Sequence, residues 1–142
     1  ASIEARVQRA KDDGRLRSQA EEELRNDNIA KAGAVYEDAI GNTRETNRKI
    51  ELYLDLANLY YNAGKVPEAL EAGEKAEAVS GDKFLAADWL GRAYEGQKDY
   101  IKAATYYRVA GESVASSQNV YQFDKEHYDK AVARVTELQA AQ

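Results

Sequence analysis

Apolar residues recur along this chain at every third or fourth position, the spacing of one face of an α-helix, in stretches broken by short polar turns. Leu56, Tyr60 and Ala63 share one such face, and Leu90, Ala93 and Tyr94 share another. The first stretch stops at Ala63-Gly64-Lys65-Val66-Pro67. Glycine tolerates the left-handed backbone of a helix end and proline fits the first turn of the next helix, so a second helix is predicted from there to about Val79. Gly96-Gln97-Lys98-Asp99 makes the corresponding later turn, and Tyr100, Ala103, Ala104, Tyr107 and Ala110 form the stripe that follows it. Ser80-Gly81-Asp82 separates the two helix pairs.

A shift of 34 residues superimposes the pairs without insertion: Leu56 falls on Leu90, Ala57 on Gly91, Tyr60 on Tyr94, Ala69 on Ala103 and Ala76 on Ala110. The pattern predicts an all-α fold, an α-α superhelix of tandem helix-turn-helix repeats with about seven helices. A degenerate earlier unit is expected over 13–46, with Leu16, Ala20 and Leu24 on its first helix and Ile29, Ala32, Tyr36 and Ala39 on its second. Its spacing to the next unit is 37, the excess placed in the turn Gly41-Asn42-Thr43. Ile3, Val7 and Ala10 extend the first helix toward the N-terminus, with Gly14 as a point of interruption. Beyond Ser116-Ser117-Gln118-Asn119, the stripe Tyr128, Ala131, Val132, Val135 and Leu138 predicts a closing amphipathic helix. Residues 1–142 are thus expected to form a single domain: repeats at 50–83 and 84–117 after the degenerate one, and a capping helix over about 120–140 that seals the stack.

Leu90, Gly91, Tyr94, Ala103, Tyr107 and Ala110 reproduce in type and spacing the core pattern of the tetratricopeptide repeat family, which the chain resembles over roughly residues 13–117. Tyr53 and Ala87 stand where that family has an early tryptophan, Gly73 where it has a second-helix aromatic, and Gly81 and Ala115 where it has a closing proline. The resemblance implies a groove lined by first helices. Its positions here are Leu54, Asp55, Asn58, Tyr61 and Asn62, then Asp88, Trp89, Arg92 and Glu95. Asn58, Asn62 and Arg92 can hydrogen-bond the backbone or carboxylate of an extended peptide, while Tyr61 and Trp89 offer apolar contact with a polar edge. Trp89 has two readings, a groove residue or one packed under the C-terminal helix. Relatives that clamp a chaperone's C-terminal carboxylate use lysine, asparagine and arginine. Those places here hold Arg17, Glu21, Asp55, Leu85 and Trp89, of which only Arg17 suits a carboxylate, so such a clamp is not expected.

Composition narrows the partners. The chain is 44% hydrophobic and 32% charged, with one proline and no cysteine, which fits a helical globule and rules out disulfides, thiolate metal sites and cysteine nucleophiles. A net charge of -5, with no basic cluster, argues against nucleic acid and anionic membranes. No apolar run approaches the roughly 20 residues that span a bilayer, so direct membrane insertion is not expected. The absence of methionine suggests a trimmed or processed chain. It is read as soluble, either cytoplasmic or the soluble part of an anchored or exported protein. The only histidine, His127, lies in a polar stretch and reads as a surface residue, and Glu21-Glu22-Glu23 point around a helix rather than at one metal. With no nucleophile and base, metal cluster or phosphate cradle in view, the expectation is a non-enzymatic scaffold, without cofactor, that binds a peptide or protein in its groove. The alternative is a structural assembly module, including a homo-oligomer, that docks through its terminal helices.

Overall fold

A computed structural model describes residues 2–79, 83–116 and 123–142. These residues form seven α-helices: α1 (Ile3–Arg25), α2 (Ile29–Gly41), α3 (Thr46–Asn62), α4 (Val66–Ala78), α5 (Phe84–Gly96), α6 (Tyr100–Ser116) and α7 (Lys125–Ala140). Each packs on the next in chain order, so the protein is all-α and repeat-like. Ser2 and Asp124 start α1 and α7 by accepting hydrogen bonds from the amides of Ala5 (3.0 Å) and His127 (3.1 Å), which satisfies donors that a helix start otherwise leaves open. The expected interruption at Gly14 does not occur, because α1 runs through it. α3 begins at Thr46, four residues ahead of the Ile50 boundary. The separator Ser80-Gly81-Asp82 and the first residues expected for the closing helix, 120–122, lie outside the described residues.

Three helical hairpins close in the same way. Asn28 N–H bonds Glu23 C=O at 2.8 Å, Lys65 bonds Tyr60 at 2.8 Å and Asp99 bonds Tyr94 at 3.0 Å. In each, the preceding residue adopts the left-handed conformation: Asp27 (φ 61°), Gly64 (φ 79°) and Lys98 (φ 61°). This is the capping geometry in which two backbone amides reach back to the last turn of the helix. The spacings of 37 and 34 match the sequence register, so the earliest unit has the same turn with different side chains. In the last hairpin the left-handed position belongs to Lys98, not Gly96. Gly96 is small for a different reason: a Cβ there would stand 2.8 Å from the Tyr61 hydroxyl.

The core is built from close approaches. Ala32, Ala57, Ala69, Ala103 and Ala110 have no exposed surface, and a Cβ on Gly91 would meet the ring of buried Tyr107 at 2.7 Å. Large side chains fill what the small ones leave: Leu52, Leu90, Tyr128 and Val135 are fully buried, each apolar side chain contributing roughly 1.5–3 kcal/mol. The odd-numbered helices are also bridged in a row. Arg48 of α3, only 9% exposed, pairs with Asp13 of α1. Trp89 of α5 bonds Asn58 of α3, and Tyr128 of α7 bonds Asp88 of α5.

Substitution of Gly91 by Ala forces a methyl into the Tyr107 ring and is expected to lower unfolding free energy by about 1–3 kcal/mol despite alanine's better helix propensity. Lys98→Gly relieves the left-handed turn and is expected to raise it by about 0.5–1 kcal/mol. Urea denaturation of the two variants reads both signs.

Candidate functional site

Between α3 and α5 lies a cavity of about 300 Å³ lined by Asn58, Tyr61, Trp89, Arg92 and Ala93. A second, of about 430 Å³, opens between α1 and α3, with Arg17, Glu21, Leu24, Tyr36, Asp55 and Asn62 in its walls. Asn58 belongs to both, so the two form one groove along the row of first helices. Of the nine residues expected at the groove, Asn58, Tyr61, Trp89 and Arg92 meet at the first cavity, and Asp55, Asn58 and Asn62 at the second. Leu54 does neither; it is half-buried and packs against the core.

Trp89 resolves between its two readings in an unanticipated way. It is 9% exposed, yet α4 rather than α7 covers it: a Cβ on Gly73 would stand 2.8 Å from its Cζ3. The indole from α5 thus occupies space that a side chain at Gly73 of α4 would fill. An aromatic of α5 that does meet α7 is Phe84, edge-on to Tyr128 at 5.7 Å between ring centres. The Trp89 Nε1–H donates to Asn58 Oδ1 at 2.8 Å. An indole nitrogen can only donate, so this bond fixes which way the Asn58 carboxamide points and leaves its NH₂ group to donate elsewhere. Tyr61 stands edge-on to the indole (6.0 Å, 85°) and its hydroxyl accepts from Gln97 Nε2 at 3.1 Å. A hydroxyl that accepts keeps its own proton to give.

Asp88 and Glu95 are taken up internally. Asp88 accepts from the Tyr128 hydroxyl (2.8 Å) and from Arg92 Nε (3.1 Å). Glu95 accepts from Arg134 Nε (2.9 Å) and Nη2 (2.7 Å) and from the Tyr107 hydroxyl (2.7 Å). The Arg134 bonds are the largest influence on Glu95 and hold its carboxyl below the ordinary range, with burial opposing and Tyr107 assisting. Asp55 moves the other way. It reaches solvent, but the wall of α1 withdraws water from it and the Asp13 carboxylate repels its charge, so its carboxyl lies above the ordinary value, with Arg17 offsetting part of the rise. Asp88 and Glu95, expected at the groove, line neither cavity, and their carboxylates are committed to α7 and α6. Sequence spacing carried no sign of this, because Arg134 lies 39 residues from Glu95. Gln97 behind Tyr61 was missed for a similar reason, as a turn residue given no side-chain role.

His127 is exposed and stacks on Phe123 at 4.2 Å between ring centres. Among the described residues no three histidine, aspartate or glutamate side chains could hold a metal ion, and no helix is long and apolar enough to cross a membrane. A scan of protein-family models and a search of curated proteins find no match to the chain.

Two measurements check this geometry. Trp89, the chain's one tryptophan, is expected to emit at a blue-shifted wavelength with weak iodide quenching. Asn58→Ala, which strands the indole N–H, is expected to cost about 1–2 kcal/mol of stability and to red-shift the emission. Glu95, with its value lowered by folding, stabilises the fold fully above the unfolded carboxylate value, and that contribution fades as pH falls through its folded value. Glu95→Gln is expected to remove about 1 kcal/mol at neutral pH and to flatten the acid side of a stability-pH profile.

Proposed function

We propose that this chain is a non-catalytic binding module of the tetratricopeptide type that holds an extended peptide, free or part of a larger protein, in the groove beside α1, α3 and α5. The observation that carries this reading is the polarity of the first cavity. Its rim offers donors: the Asn58 NH₂ group oriented by Trp89, the Tyr61 hydroxyl proton, and the Arg92 Nη1 group left over when Nε and Nη2 engage Asp88. An extended peptide presents carbonyl oxygens at regular intervals, and donors along a groove match them. The edge-on Tyr61 and Trp89 rings supply the apolar contact that makes such a site bind rather than merely hydrate.

Arg17, Glu21 and Asp55 in the adjoining cavity present both signs of charge, which supports a mixed peptide over a uniformly acidic tail. A carboxylate clamp of the chaperone kind finds no support, since Glu21 and Asp55 would repel it. The proposed role requires no cofactor and no nucleic acid. Catalysis forms no part of it.

The test is a display selection of random extended peptides on the chain, followed by affinity measurement on Tyr61→Ala with Arg92→Ala. Loss of about tenfold or more in affinity at unchanged helical circular dichroism is the expected outcome. Selected peptides that bind the double variant equally well would remove the groove from the mechanism.

A further inference from the structure

The first and last described helices, α1 and α7, differ. On α7, the exposed residues include Lys125, Glu126, Asp129, Lys130, Thr136 and Glu137, and the large apolar side chain among them, Leu138, is 38% exposed. On α1, Ile3 is 72% exposed and Val7 48%. α1 has 23 residues and α2 has 13, so about three turns of α1 run past its hairpin partner, and every residue from 2 to 11 is exposed. Arg9 pairs with Glu45, the residue just before α3. Ile3, Val7, Ala10 and Gly14, spaced by four, three and four, form a narrow stripe down one side of it, the seam pattern of a two-helix coil. A Cβ on Gly14 would meet nothing within 4 Å, so the stripe ends in an open notch.

We propose that a second copy of this chain covers this stripe, with the two α1 helices antiparallel. In the register that sets Val7 against Ala10 of the other copy, Ile3 falls at the Gly14 notch, a large side chain into a gap. The flanking charges agree with that register and direction. Glu4 then lies beside Lys11 of the other copy and Arg6 beside Asp13, and the two-fold axis repeats both pairings. Glu4, Arg6 and Lys11 are exposed, and Asp13 keeps 35% of its side chain accessible beside Arg48. Parallel pairing would instead bring Arg6 against Lys11, a like-charge contact. A stripe of three turns lies at the low end of interface sizes, so the dimer is reversible and concentration-dependent. The groove stays free, because neither of its cavities is lined by residues 3–14.

Sedimentation velocity over a concentration series tests this on the full chain and on Glu4→Lys, Lys11→Glu and the double variant. The chain is expected to shift reversibly from monomer to dimer. Each single change turns two attractions into two repulsions and is expected to weaken the dimer on the order of tenfold, while the double variant restores it. Mixed together, the two single variants are expected to prefer the heterodimer, since each supplies the charge the other lacks. Circular dichroism confirms that these exposed changes leave helicity intact. A chain monomeric at every concentration, a dimer indifferent to the single swaps, or a double variant that fails to recover would each overturn the proposal. So would a monomer that binds a different protein through α1.

Discussion

Three buried tyrosines set the terms for the rest of the molecule. Tyr94, Tyr107 and Tyr128 are 5%, 3% and 1% exposed, and each carries a hydroxyl into the joint between helices, where an unmatched polar group is costly. Each finds a carboxylate: Glu74 at 2.6 Å, Glu95 at 2.7 Å and Asp88 at 2.8 Å. Burial first, and then the acceptor's negative charge, push all three phenols above their ordinary value, so they stay protonated and keep donating. The absence of a side chain at Gly91 is what admits the Tyr107 ring, which a Cβ there would meet at 2.7 Å. The rings in turn are tolerated only because acidic residues stand where their hydroxyls arrive.

That constraint reaches the surface. Asp88 and Glu95 of α5 line neither cavity, and their charge is engaged by α6 and α7, so the open chemistry of the first cavity is left to amide, phenol, indole and guanidinium groups. Gly73 and Trp89 show the same economy. The packing of a ring from α5 where α4 carries no side chain is a single arrangement in space. It places a large apolar ring at the groove while burying most of it.

Much of the fold was legible in the sequence because its signals are local. Hairpin turns need a residue that accepts left-handed backbone, close approaches need Ala or Gly at fixed intervals, and both recur at 34. The site was legible only in part. Asn58, Tyr61, Trp89 and Arg92 line one cavity. Leu54 turns into the core because a helix position near the edge of the buried face can settle either way, and periodicity does not distinguish them. Tyr128 and Arg134, which engage Asp88 and Glu95, come from a helix whose placement depends on packing rather than spacing. Gly14 resembled a helix break because glycine weakens a helix interior by about 1 kcal/mol relative to alanine, too little to outweigh the 22 other residues of α1.

The three hairpin turns at Asp27, Gly64 and Lys98 have a consequence for how such a chain changes over generations. The backbone passes through the same conformational state at each, with the same bonds on either side. A gene that gained or lost the segment between two of them would rejoin compatible ends, with the direction of the chain and the hand of the turn preserved. Length is therefore an inexpensive variable in this architecture. The surface chemistry between turns has to be rebuilt residue by residue.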